Sequence, residues 1–437
     1  MTFGIFPKDG LCMSLSGVTV ALCTLTLLLV ALRSHMREGT RRNKGNLPPG
    51  PTPWPLVGNL FQMGDQIHLS LTRLRLQYGD VFQMRMGSLV VVVLSGYATI
   101  RQALVRQGEA FAGRPDLFTF SAVANGTSMT FSEKYGPAWV LHKKLCKKAL
   151  RSFSQAEPRG SDTTCLLEEH VCTEAAGMVE AIWESSKGSE GLGLDPVVPL
   201  VSSVANVVCA LCFGKRYDYN DKEFLTIVHI NNEVLRIFAA GNMADFFPVF
   251  RYLPSPSLQK MDCIRDITDA LIALCEERQE DDDTAVLSNS QIIHTVIDIF
   301  GADDHIGPAR LPRFEDKPKM HFTEAFLYEV FRHASYVPFT IPHCIRLIMT
   351  YVFRPERFLG KEGLLNKDLT EKVMIFGMGK RRCLGDGFAR LEMFVFLTTL
   401  LHRLRIENVL GQELDLSSDF GLTMKPRPYR ISVSSRL

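Results

Sequence analysis

The run Phe376-Gly-Met-Gly-Lys-Arg-Arg-Cys383-Leu-Gly385 constrains this 437-residue chain more than any other segment. Glycines and basic residues crowd into a turn that ends on a cysteine, and an apolar stretch with helical spacing, Phe388 to Leu401, follows at once. A thiolate in such a place lies at a helix N-terminus. There, unpaired backbone N–H groups and the helix dipole favour negative charge, lower the thiol's pKa and suit it to bind a metal. Gly377, Gly379 and Gly385 leave room for backbone to approach a flat cofactor, and Arg381 can pair with an acidic group on it. A single cysteine is more often a small buried hydrophobe than a ligand. Here the glycines, the charges and the following helix all agree on a ligand.

With 46% hydrophobic and 22% charged residues the chain is globular and long enough for a large core. A net charge of +2, without clustering of the basic residues into a footprint, argues against nucleic acid as a partner. The 11 cysteines show no disulfide-framework spacing and read as reduced and cytosol-facing. Cys209-Ala-Leu-Cys212 lies in an apolar run without a second pair and reads as packing.

From Leu11 to Leu32 there is no charged residue, and a block with Arg33, Arg37, Arg41, Arg42 and Lys44 follows. A helix over that run is about 33 Å long, enough for a hydrocarbon core of about 30 Å. The basic block behind it places the body of the protein on the cytosolic side. The competing reading, a cleaved signal peptide, lacks a clean small-residue cleavage site. The expected organisation is a lumenal tip over 1–10, a transmembrane anchor over 11–32, a basic and proline-rich hinge over 33–57, and one domain over 58–437. The hinge ends in Leu47-Pro-Pro-Gly-Pro-Thr-Pro-Trp-Pro55, which excludes helix and reads as an extended spacer. Within the domain, Ser88 to Ser95 reads as a strand. Helices are expected around 97–107, 139–152, 165–185, 197–213, 222–239, 257–280 and 290–300.

Two further motifs stand upstream of the cysteine. Glu329-Val-Phe-Arg332 places an acid and a base on one helix face, and Pro355-Glu-Arg357-Phe358 offers a second arginine to complete a buried network. In this order the three motifs resemble the E-x-x-R, P-E-R-F and F-x-x-G-x-R-x-C-x-G signatures of the cytochrome P-450 superfamily, the haem-thiolate monooxygenases. Val207 to Tyr217, Ala244 to Pro254 and Phe420 to Lys425 are similar to its aryl-hydrocarbon-oxidising family 1. The resemblance implies a mainly α fold with small β-sheets (α+β), haem b bound through Cys383, and haem contacts at Trp139, Lys143, His343, Phe376, Gly379, Arg381 and Gly385. Lys143 stands where the family's W-x-x-x-R pattern has arginine, so it keeps the charge and loses the fork. It further implies a substrate pocket at Asp298, Gly301, Ala302, Leu422 and Thr423, and small apolar substrates such as aromatic or polycyclic compounds, steroids or fatty acids. Electrons would come from NADPH through the flavins of NADPH-cytochrome P-450 reductase, with cytochrome b5 as a further partner. The location implied is the endoplasmic reticulum membrane, single-pass, and the role xenobiotic metabolism.

The serious departures from the family pattern lie in the oxygen-activating helix and in the segment after Arg332. After Ala302 the oxygen-activating A-G-x-D-T motif is replaced by Asp303-Asp-His305-Ile306-Gly-Pro308, so a hydroxyl is missing where the family has threonine, and the helix should end at Gly307-Pro308. Only residues 303–328 separate Ala302 from Glu329, and the segment between Arg332 and Arg354 is also short. Gaps are therefore expected near 302–312 and 344–352, leaving the fold incomplete around the oxygen-activating helix and after the E-x-x-R helix. Two readings stay open: a membrane-anchored haem monooxygenase, and a truncated, inactive relic that binds haem weakly or not at all.

Overall fold

The computed structural model describes residues 47–226, 243–252, 310–334, 339–344, 354–409 and 418–436, with breaks inside these ranges, and part of 19–28. The chain divides into two compact units, 1–95 and 96–437, each described here by itself.

In the first unit, helix α1 (Ile67–Tyr78) precedes an antiparallel hairpin of β1 (Val81–Met86) and β2 (Leu89–Leu94), with Val81 opposite Leu94 and Met86 opposite Leu89. The tight turn needs a left-handed residue, which Gly87 supplies at φ 57°. Strand β2 lies within the expected 88–95. Helix α1 and β1 had no clear sequence signal, because the apolar positions of Ile67 to Leu76 drift between a period of two and one of 3.6.

The proline-rich segment differs from the free spacer expected of it. Gln83 N–H donates to Pro49 O at 2.8 Å and Gly87 N–H to Val57 O at 3.1 Å, so the segment lies along β1. Buried Asn59 ties it down further, its Oδ1 accepting from Arg85 N–H at 2.8 Å. At Gly50 a Cβ would fall 1.8 Å from Gln83 O. Prolines suit this edge because the segment accepts from β1 and needs few donors of its own. The expected anchor over 11–32 lies mostly outside the described residues. The described part of 19–28 is helical, and no helix among the described residues is long and apolar enough to cross a membrane.

The second unit is helical. Its main helices are α2 (Tyr97–Arg101, continued by a π turn over Gln102–Arg106), α3 (Pro137–Gln155), α4 (Leu166–Lys187), α5 (Val197–Phe213), α6 (His321–Ala334) and α7 (Asp386–Arg403). Strand β3 (Leu404–Asn408) pairs antiparallel with β4 (Ile431–Ser435), and two-residue pairs join 339–340 to 343–344 and 418–419 to 425–426. Helices α2 to α5 fall where the spacing places them. Those expected at 257–280 and 290–300, and most of 222–239, lie outside the described residues. The core forms where α7 packs on α4 and α4 on α5. Phe394, Val395, Met178, Ile182 and Val207 are fully enclosed there, and the Phe314 ring meets Phe394 edge-on at 6.2 Å.

Glu392 sits in the same face of α7 at 1% exposure, and neither carboxyl oxygen has a hydrogen-bond partner. Burial raises its pKa well above 4.5 because a carboxylate there would lose its hydration. The unfolded chain releases this proton near the usual carboxylate range while the folded chain keeps it, so stability falls as pH rises above that range. Glu392→Gln keeps the shape and removes the titration. It is expected to flatten the decline in urea midpoint between about pH 5 and pH 8; an identical slope in both proteins would show that Glu392 is not the cause.

Candidate functional site

The cysteine loop is built from its backbone outward. Gly377 N–H bonds Met374 O at 3.0 Å, a 3-10 turn runs over Gly379–Arg381, and Cys383 N–H closes the loop on Phe376 O at 2.9 Å. Gly385 then caps α7, accepting from Ala389 N–H at 2.8 Å. Cys383 therefore stands just ahead of the helix N-terminus, where the dipole favours a thiolate. Two of the loop glycines have a reason in the protein's own backbone. Gly379 is left-handed at φ 71°, and a Cβ there would lie 1.9 Å from Leu104 O, so the missing side chain makes room for the π turn after α2. Gly377 also needs its positive φ of 69°, whereas Gly385 is at φ −83°, open to any residue.

Arg381 joins this loop to the segment ahead of α3. Its Nε donates to Ala112 O at 2.8 Å, Nη1 to Met129 O at 2.8 Å and Nη2 to Ser132 O at 3.0 Å. Its guanidinium also lies 4.2 Å from the ring centroid of Trp139, whose Nε1 donates to the same Met129 carbonyl at 3.0 Å. One turn further along α3, Lys143 Nζ reaches Lys380 O at 2.6 Å and Arg382 O at 2.9 Å.

Arg114, which the sequence did not single out, completes this group. It is 9% exposed, donates through Nε to Thr130 O at 3.0 Å, and its Nη1 is buried without a partner. Burial and the adjacent Arg381 charge push its pKa down to about 9. Burial likewise lowers Arg381 to about 10. Lys143 falls to about 8 through burial, a thiolate at Cys383 opposing the shift and Arg381, Lys147 and Arg382 adding to it. Among the described residues no carboxylate pairs with any of the three. Desolvated cations side by side are unstable without an anion. The cluster, with a thiol beside it and a buried donor left open, thus fits a cofactor that carries carboxylates and a thiolate-binding metal. A lone arginine before Pro115 gave no sequence signal, because only the fold brings it to Arg381.

Behind the loop, α6 carries two functional faces. On one, fully buried Glu329 takes a bidentate pair from Arg332 at 2.8 and 2.7 Å, accepts Arg354 N–H at 2.7 Å, and lies 2.8 Å from Arg357 Nε. Burial opposes its ionisation, but these donors outweigh it and hold the pKa below 4.5. On the other face, Tyr328 and Phe331 form a cage with Phe376 around Arg390, whose guanidinium lies 5.3, 5.9 and 5.0 Å from the three rings. Arg390 also donates to Tyr328 Oη at 3.0 Å and to Asp386 at 2.6 Å. This brace was not legible in the sequence, since its partners come from three segments. His343 is placed only by its backbone, paired opposite Thr340. Asp298, Gly301, Ala302, Leu422 and Thr423 lie outside the described residues.

A family description, Cytochrome P450, matches residues 48–301 and 351–433. The chain belongs to the cytochrome P450 family. It is 40% identical to human cytochrome P450 1A1 over 491 aligned positions, covering 93% of this chain and 94% of that protein. It is 41% identical to the dog cytochrome P450 1A1, with 92% of each covered, and 38% identical to that of the minke whale Balaenoptera acutorostrata, with 96% and 98% covered. Membership makes it a haem monooxygenase, and the helical architecture with small antiparallel sheets is the P450 fold. The match leaves out 302–350, which includes the E-x-x-R helix, although that helix is in place beside Arg357.

The three carbonyls held by Arg381 test its role. Arg381→Lys keeps one charge but cannot fork to Ala112, Met129 and Ser132, and is expected to cost about 2–4 kcal/mol in urea unfolding of the full chain. A loss below about 0.5 kcal/mol, the size of an ordinary surface change, would show that the fork is dispensable.

Proposed function

We propose that this chain is a membrane-anchored P450 monooxygenase of the endoplasmic reticulum, with its domain in the cytosol, that inserts one oxygen atom from O2 into small apolar substrates. The observation that carries this is Cys383 just ahead of α7, beside one buried and two half-buried cations that pair with no carboxylate among the described residues. When bound, a thiolate-ligated haem b supplies dioxygen activation and oxygen insertion. Cys383 Sγ would hold the iron, and Arg114 and Arg381 would hold the porphyrin carboxylates, with Trp139, Lys143, Phe376, Gly379 and Gly385 shaping the site and His343 at its margin. Glu329, Arg332 and Arg357 keep α6 in place behind it. Asp298, Gly301, Ala302, Leu422 and Thr423 are assigned to the substrate pocket on the family resemblance. Aromatic or polycyclic compounds, steroids or fatty acids are the substrates that the family resemblance implies, with a role in xenobiotic metabolism.

Electrons reach P450 enzymes from a redox partner. For this chain the proposed source is NADPH, through the flavins of a membrane-bound reductase, with cytochrome b5 as a second donor. Exposed Lys144, Lys147, Lys148 and Arg151 on α3 lie on the helix that reaches the cysteine loop and suit an acidic partner surface. The anchor over 11–32 rests on its uncharged run and the basic block behind it.

A second reading keeps the family and removes the activity. Residues 302–350 fall outside the family match, and Ile306 supplies no hydroxyl for proton delivery. The closed cysteine loop and the cation cluster favour the enzyme. The test is the reduced, carbon-monoxide difference spectrum of the full chain expressed with haem precursor. A red-shifted Soret band that disappears in Cys383→Ser is expected; absence of haem, or a band unchanged by the substitution, would leave the inactive relic.

A further inference from the structure

We propose that Lys143 is a positioning residue for the Cys383 loop and not an anchor for a porphyrin carboxylate. This deepens the haem-thiolate reading and rests on it. A peptide unit is rigid and planar, so holding its oxygen and its N–H fixes its orientation. The unit between Arg382 and Cys383 is held at both ends. Its oxygen accepts from Lys143 Nζ at 2.9 Å, and its N–H donates to Phe376 O at 2.9 Å. The same ammonium takes Lys380 O at 2.6 Å, so the backbone on either side of Arg381 converges on one cation. These are charge-assisted bonds, roughly twice as strong as neutral ones.

The chemistry of the side chain agrees. A planar guanidinium suits a carboxylate, which it grips with two parallel bonds, whereas an ammonium is a compact point donor that can straddle two backbone carbonyls. Lys143 projects from α3, a helix of 19 residues, with Nζ 5.3 Å from the ring centroid of Trp139. The loop is thereby tied to a long, regular element by a cation that also places positive charge close to the thiolate position. Carboxylate binding then falls to Arg114, whose buried Nη1 has no protein partner, and to Arg381.

Two measurements on the full-length chain test this. In the haem-free protein, Lys143→Met should speed amide hydrogen exchange at Arg382 and Cys383 about tenfold while the amides of α7 keep their protection. In haem-loaded protein, Lys143→Met should retain haem within about twofold of the parent during transfer to apomyoglobin, yet shift part of the carbon-monoxide complex to a non-thiolate band. Arg114→Met should lose haem faster with the band unchanged. Unaltered exchange in haem-free Lys143→Met would overturn the proposal, as would haem loss as fast as in Arg114→Met with an intact thiolate band. A parent chain that takes up no haem would instead defeat the monooxygenase reading, and the exchange measurement would still decide the role of Lys143.

Discussion

The buried charge of Glu329 is the interaction on which the site depends. A carboxylate taken wholly out of water is tenable only when its oxygens are paired, and here Arg332, Arg357 and the Arg354 N–H all converge on it. That convergence does more than offset desolvation. It locks α6 against the Pro355–Phe358 turn, and the next face of α6 then has to present Tyr328 and Phe331 to Arg390 and Phe376. Phe376 in turn supplies the carbonyl that closes the cysteine loop. The position of Cys383 is thus tied, through α6 and Phe376, to an ion network on the other side of a helix.

On its open side the loop is organised by cations. Arg381, Arg114 and Lys143 lie close together, and all three have lowered pKa values because they lose hydration without meeting a carboxylate. Backbone carbonyls satisfy most of their donors and hold the segments at 112–132 and 380–382 together. Among the described residues no carboxylate compensates their charge. An anionic cofactor would supply that compensation and draw the cluster tighter, so the electrostatic demand of the folded chain and the chemistry of a haem are complementary.

The main departure from the family pattern lies between Ala302 and Glu329. Ile306 in place of a threonine, Gly307-Pro308 after it and the short run to Glu329 all bear on oxygen activation, and none of them bears on thiolate ligation. Under the proposed function, haem binding and turnover would therefore draw on different parts of the chain. Binding would draw on α3, α6, α7 and the cysteine loop. Oxygen activation would draw on the region outside the family match.

The sequence alone determined the family, the glycine-rich cysteine loop ahead of an apolar helix, and most of the helices framing it. These depend on local chemistry: a glycine-rich basic turn before an apolar helix, an acid and a base three residues apart, and 3.6-residue periodicity over 197–213. Only the tertiary structure decided which distant groups act on the loop. Gly379 makes room for Leu104 O, the proline-rich segment lies along β1, and Arg390 is caged by rings from α6 and the loop. Arg114 comes to Arg381 from far along the chain, and Lys143 places two of its three donors on loop carbonyls. Such contacts join residues that no periodicity relates. A cation's partner is set by which backbone oxygens the packed helices leave within about 3 Å, and that distance exists only once the chain has folded.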